Sequence, residues 1–205
     1  MLDSGYTGFM IVCTMLVLLM PPGLAFFYGG LSRRKNVVNT MIMTFSVVGI
    51  VGVAWIIAGW SLAYGGDGSI PFFGGFDQLG CVQLVRDMLA EAEGTPDAFA
   101  LLSGAAALDA GDAELAAGYP AIIDVAFQMA FAMITCAIIT GSVAGRMKFG
   151  AVCAFIAVWV LVVYAPLAHM VWGGEGSLIG DMVGALDFAG GDVVHISSGL
   201  TGLIL

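Results

Sequence analysis

The stretch DFAGGDVVH, Asp187 to His195, places a carboxylate, a glycine pair and an imidazole at the head of an apolar run that continues to Leu205. Imidazole accepts a proton, donates one, or hydrogen-bonds a neutral amine. Inside a run of membrane character an ionisable side chain is rare and costly, which marks His195 as a candidate for function. Asp187 needs hydrogen bonds to survive desolvation at such a depth. The backbone N–H groups of the following turn are natural donors, because a helix N-terminus favours an anion. A cap that only organises the turn and a carboxylate that also shapes a binding site fit the sequence equally.

Aromatic chemistry has its own candidates. Phe127 and Phe131 stand four apart in AFQMAFAMIT and so share one helix face. They lie about 12 and 18 Å along a helix from Tyr119. Packing or lipid-facing phenylalanines have the same spacing. Trp172, in MVWGG, closes an apolar run, where it is either an interfacial belt residue or a π face for a small cation. His169, three residues earlier, has an interfacial or packing role. Ser197 and Ser198 adjoin His195, but neighbours do not face each other on a helix, and no GxSxG elbow frames them. With no GxGxxG and no Walker loop either, neither enzyme activity nor a cofactor is expected. Cys13, Cys81, Cys136 and Cys153 form no CxxC pair, so neither a disulfide framework nor a zinc site is supported.

The elements that must position these groups are membrane helices. The chain has 205 residues, 60% hydrophobic and 10% charged, with a mean hydropathy of +1.01; soluble domains carry nearer 25% charged residues. The net charge of −9 comes without a basic patch, which argues against nucleic acid as a partner. Apolar runs at about 7–31, 37–64, 119–144 and 149–172 each approach or exceed the ~20 residues needed to span a bilayer. A fifth, at 192–205, would extend only about 21 Å as a helix, so the expectation is a segment truncated within the membrane. The fold class is therefore all-α, a polytopic transmembrane helical bundle. The N-terminal MLDSGY lacks the positive region of a signal peptide, and the first run reads as a retained helix.

Five of the six bases fall in two short connections, Arg33, Arg34 and Lys35, then Arg146 and Lys148. The positive-inside rule makes both cytoplasmic and puts the N-terminus outside. The connection at 65–118 is long and acidic, with parts such as VRDMLAEAE and DAELAAG able to form short helices. It reads as a solvated outer loop, or as a negative field that concentrates cations at a pore mouth. Pro21-Pro22 predicts a kink or break in the first helix. Small residues in GIVGVAWIIAG suit close helix packing.

Taken together, PGLAFFYGGLSRRKN at 22–36, FQMAFAMIT at 127–135, RMKFGAV at 146–152, AHMVWGG at 168–174 and DFAGGDVVHISSG at 187–199 resemble the ammonium transporter (Amt) family of the Amt/Rh group. These matches cover the chain in order, apart from the long outer loop, which exceeds what the family leads one to expect. The resemblance implies the first half of an eleven-helix inverted repeat (five plus five), in a homotrimer with one pore per subunit. It implies that Phe127 and Trp172 belong to an outer ammonium-recruiting site, that Phe131 gates the pore, that His195 is the first of two pore histidines, and that Asp187 is the structural carboxylate beneath the outer site. The second histidine, a further phenylalanine and serine of the outer site, and a cytoplasmic tail that meets PII-type regulatory proteins would lie beyond Leu205. The implied function is ammonium/ammonia transport across the cell membrane. A neutral gas channel of the Rh kind and a non-conducting sensor or accessory subunit are the alternatives.

Overall fold

Apolar runs in a bilayer must satisfy their backbone internally, and the helix is the local way to do so. The computed structural model describes residues 4–66, 68–86 and 119–205. Four helices in it are long and apolar enough to cross a membrane: α1 (Ser4–Leu31), α2 (Arg34–Tyr64), α3 (Ala121–Val143) and α4 (Phe149–Trp172). A π-helical turn, Gly191–Ile196, followed by α-helix Ser197–Ile204, forms α5. The short helices expected in VRDMLAEAE and DAELAAG lie outside the described residues, except for Val85 and Arg86.

The helix at the centre is α3. Half of its apolar window, 50%, is buried inside the bundle, against 17% for α1, which is therefore peripheral. Small side chains make this central place possible: Ala130, Ala132, Cys136 and Ala137 are buried on α3 and let its neighbours approach closely. Hydroxyls tie the pairs. Thr44 of α2 and Thr140 of α3 are 2.8 Å apart, and the Tyr28 hydroxyl of α1 donates to Ile138 O of α3 at 3.1 Å.

Single π turns interrupt α2 at Trp55–Gly59 and α4 at Val160–Tyr164. Their two large aromatics meet inside the bundle, Trp55 against Tyr164 with ring centroids 5.9 Å apart and both fully buried. Met43, Val47, Val51, Ile139, Ile156, Val160 and Val193 complete the core.

The break or kink expected at Pro21-Pro22 is not seen as a break: α1 runs through both prolines from Ser4 to Leu31. Membrane helices tolerate the missing donors of proline where neighbouring groups re-satisfy the freed carbonyls.

The bundle has two distinct ends. At the basic end, the turns after α1 and α3 come together, and Arg33 and Arg146 line one cavity of about 560 Å³ with Tyr28, Ser32 and Asn36. At the other end the chain folds back over α2. Gly74 N–H donates to Leu62 O, Ser61 Oγ donates to Gly75 O, and Trp60 Nε1 donates to Gln78 Oε1. This end carries Trp172, Asp187 and the other site candidates.

Candidate functional site

The site is built where α3, α4 and α5 meet, and α5 sets its floor. Gly190 has φ of +78°, and a Cβ there would lie 2.9 Å from Val194 Cγ2, so glycine is required for the chain to turn into the helix. Asp187 then receives the N–H groups of that turn. Its Oδ1 accepts from Gly191 at 2.6 Å, and its Oδ2 accepts from Asp192 at 3.1 Å and Val193 at 3.2 Å. A carboxylate with three backbone donors fixes the direction in which α5 leaves.

Beyond this cap, α5 has two faces. Val193, Val194, Ser197 and Ser198 are buried against the bundle. His195, Ile196, Leu200, Leu203 and Ile204 are exposed on the other side. The His195 ring has no hydrogen-bond partner among the described residues, and it faces away from the four long helices. Neighbouring Leu186 and Phe188 are also exposed, at 88% and 92%.

Aromatic rings form a chain across the top of α3 and α4. Phe127 and Phe131 stack edge to face with centroids 5.0 Å apart, and Phe131 meets Trp172 at 6.4 Å, again edge to face. The ring that touches Trp172 is thus Phe131, with Phe127 one step further along. Trp172 and Asp187 line the same open cavity, of about 380 Å³, together with Gly174, Ser177, Asp181 and Leu186. The structure therefore brings Trp172 and Asp187 to one hollow and sets Phe131 behind it, while His195 lies below on the open face.

Of the interfacial and packing roles open to His169, the packing one is seen. The residue is 4% exposed, with Nδ1 2.9 Å from Ala63 O and Nε2 2.9 Å from Ile70 O.

One residue near the site escaped sequence reasoning. Asp124, in the first turn of α3 and one turn before Gln128, accepts from the Tyr119 hydroxyl at 3.2 Å. Burial, and then the Asp124 charge, push the Tyr119 hydroxyl above its ordinary value. The available signal was an acid three residues ahead of Phe127 inside an apolar run. Gln128 Oε1, buried a turn below, has no partner among the described residues. No group of three or more His, Cys, Asp or Glu among the described residues could hold a metal.

Known proteins match this chain along nearly its whole length. A sequence model of the Ammonium Transporter Family matches residues 8–205. The chain is 44% identical over 204 residues to a protein named ammonium transporter from Aquifex aeolicus, covering 99% of this chain and 41% of that protein. It is 43% identical over 204 residues to an ammonium transporter from Bacillus subtilis, covering 100% of this chain and 43% of that protein. The crystal structure of Candida albicans Mep2 superposes with a TM-score of 0.76 at 27% identity, covering 98% of this chain and 38% of that one. The chain thus spans about two fifths of the length of the curated relatives it matches.

Proposed function

The chain belongs to the ammonium transporter family, and from that premise we propose that it supplies one wall of a pore that captures ammonium at an outer aromatic site and passes ammonia inward. Its relatives are named for transport, not for an enzyme reaction, and its four long apolar helices make it a multi-pass membrane protein. The observation that carries the reading is the shared cavity of Trp172 and Asp187, with Phe131 against the tryptophan ring.

Selectivity follows from chemistry that size alone does not give. Ammonium and potassium are close in size, so a hole sorts them poorly. Ammonium donates hydrogen bonds and can lose a proton; potassium does neither. The π faces of Trp172 and Phe127 attract the cation. Past Phe131, an apolar passage disfavours a bare charge by several kcal/mol. Losing the proton removes that penalty. His195, on the exposed face of α5, then hydrogen-bonds the neutral molecule or relays its proton.

The exposed face of α5 fits a facing wall. Inverted-repeat transporters place their sites between the repeats, and the part of the relatives that this chain does not span would supply the second repeat. On this reading the basic end is cytoplasmic and the Trp172 end is outside. The assembly is a homotrimer in the cell membrane, and a PII-type protein meets it from the cytoplasm if the cytoplasmic tail is present. A neutral gas channel would have no use for a cation-holding tryptophan, and a non-conducting sensor would be expected to lack one of these residues.

The test is uptake across substrate concentration in the full-length gene product. Trp172→Leu removes a cation–π face and should weaken capture by about 1–2 kcal/mol, roughly five- to thirtyfold in half-saturation. An unchanged concentration dependence would leave Trp172 as a belt residue only.

A further inference from the structure

We propose that His169 is a positioning residue for the outer cation site, a step that rests on the reading of Trp172 as the recruiting ring. His169 lies one turn before Trp172 on α4 and is buried. Its two ring nitrogens address two carbonyl oxygens of separate segments. Ala63 O closes α2, and Ile70 O belongs to the turn that folds back over it, each at 2.9 Å. A carbonyl oxygen only accepts. A neutral imidazole has one N–H, so it donates to one carbonyl and turns a lone pair toward the other.

What the bridge holds together leads to Trp172. Gly173 N–H donates to His169 O at 2.9 Å and ends α4 directly after the tryptophan. A Cβ on Gly173 would lie 2.9 Å from His169 Nδ1, so the helix end is folded tightly onto the ring. Pro71, next to Ile70, accepts from Leu178 N–H at 3.2 Å. Leu178 opens the turn Leu178–Met182, which contains Gly180 and Asp181 of the cavity wall. One side chain therefore couples the end of α2, the fold-back turn and the segment that faces Trp172.

The titratable groups around it have other engagements. Asp77 Oδ1 accepts from Gly66 N–H, and Asp181 Oδ2 accepts from Gly176 N–H, each at 2.8 Å. Glu175 is exposed, and Tyr64, from α2, has a buried hydroxyl with no partner among the described residues. Asp67 lies outside the described residues. None of the four bonds to His169, which is held by the two carbonyls.

The experiment measures uptake of radiolabelled methylammonium by the full-length gene product in proteoliposomes. His169→Ala raises KM roughly three- to tenfold while the maximal rate changes little. His169→Gln keeps a donor for one of the two carbonyls, so its KM falls between those of the wild type and His169→Ala. Trp172→Leu is run in parallel: an unchanged KM there overturns the recruiting ring and with it the positioning role. A folded His169→Ala protein with wild-type KM, beside a Trp172→Leu protein with raised KM, overturns the proposal.

Discussion

The two histidines of this chain, His169 and His195, close or open apolar runs of similar character, yet their surroundings are opposite. His169 is buried, with both nitrogens against backbone carbonyls. His195 is exposed on a helix face that is otherwise apolar, and its ring has no bonded partner among the described residues. A side chain whose polar atoms are all engaged belongs to the framework. One left open, beside Ile196 and Leu200, is free to meet something that arrives. Damage around the first should appear as lost fold or lost site shape, and damage to the second as lost transport in a fold that survives.

The largest cost should come from forcing the engaged region apart. Gly173→Ala sets a Cβ against the His169 backbone and ring, and neither can rotate away. Thermal unfolding in detergent should show a loss of about 3 kcal/mol, the upper part of the range for overpacking. A melt like that of the wild type would mean the helix end is looser than the geometry indicates.

Asp187 comes next, because it sits between the two regions. Asp187→Ala leaves the N–H groups of Gly191, Asp192 and Val193 without their acceptor, at a cost of about 2 kcal/mol. Asp187→Asn keeps one acceptor oxygen and the shape while removing the charge, and should cost about half as much. Comparing the two variants in melting and in uptake separates capping from electrostatics. Equal melting with unequal uptake would show that the charge itself serves the site.

The smallest effect on stability belongs to His195→Ala, expected within about 0.5 kcal/mol of wild type, as for other exposed positions. A marked drop in recovery of folded protein would place His195 in the framework and erase the contrast with His169.

How much of this was legible depended on how far apart in sequence the partners are. The long helices could be read from run length because a bilayer fixes the number of residues required. The donors to Asp187 could be anticipated because they lie only four to six positions ahead, at the start of the next helix. The carbonyls that hold His169 lie 106 and 99 positions away, in Ala63 and Ile70, and no periodicity connects them. Spacing put Phe127 and Phe131 on one face of α3, but only the crossing of α3 with α4 decides that Phe131 is the ring against Trp172. Asp124 was hidden because one acid at the head of an apolar run looks like the edge of the acidic loop before it. Pro21-Pro22 was read as a kink or break, and no break is present; membrane helices tolerate proline where neighbouring groups re-satisfy the freed carbonyls, partners that the local sequence does not name.

The central claim is that ammonium is captured as a cation and crosses without its charge, with His195 as the group that meets it on the way. The most direct measurement is of ammonium and potassium currents through His195→Ala and wild-type protein, from preparations matched for folded protein. The account predicts a folded protein whose ammonium current changes by roughly tenfold or more, about 1.4 kcal/mol in the barrier, or which begins to pass potassium. Normal currents with normal selectivity in the folded variant would contradict it.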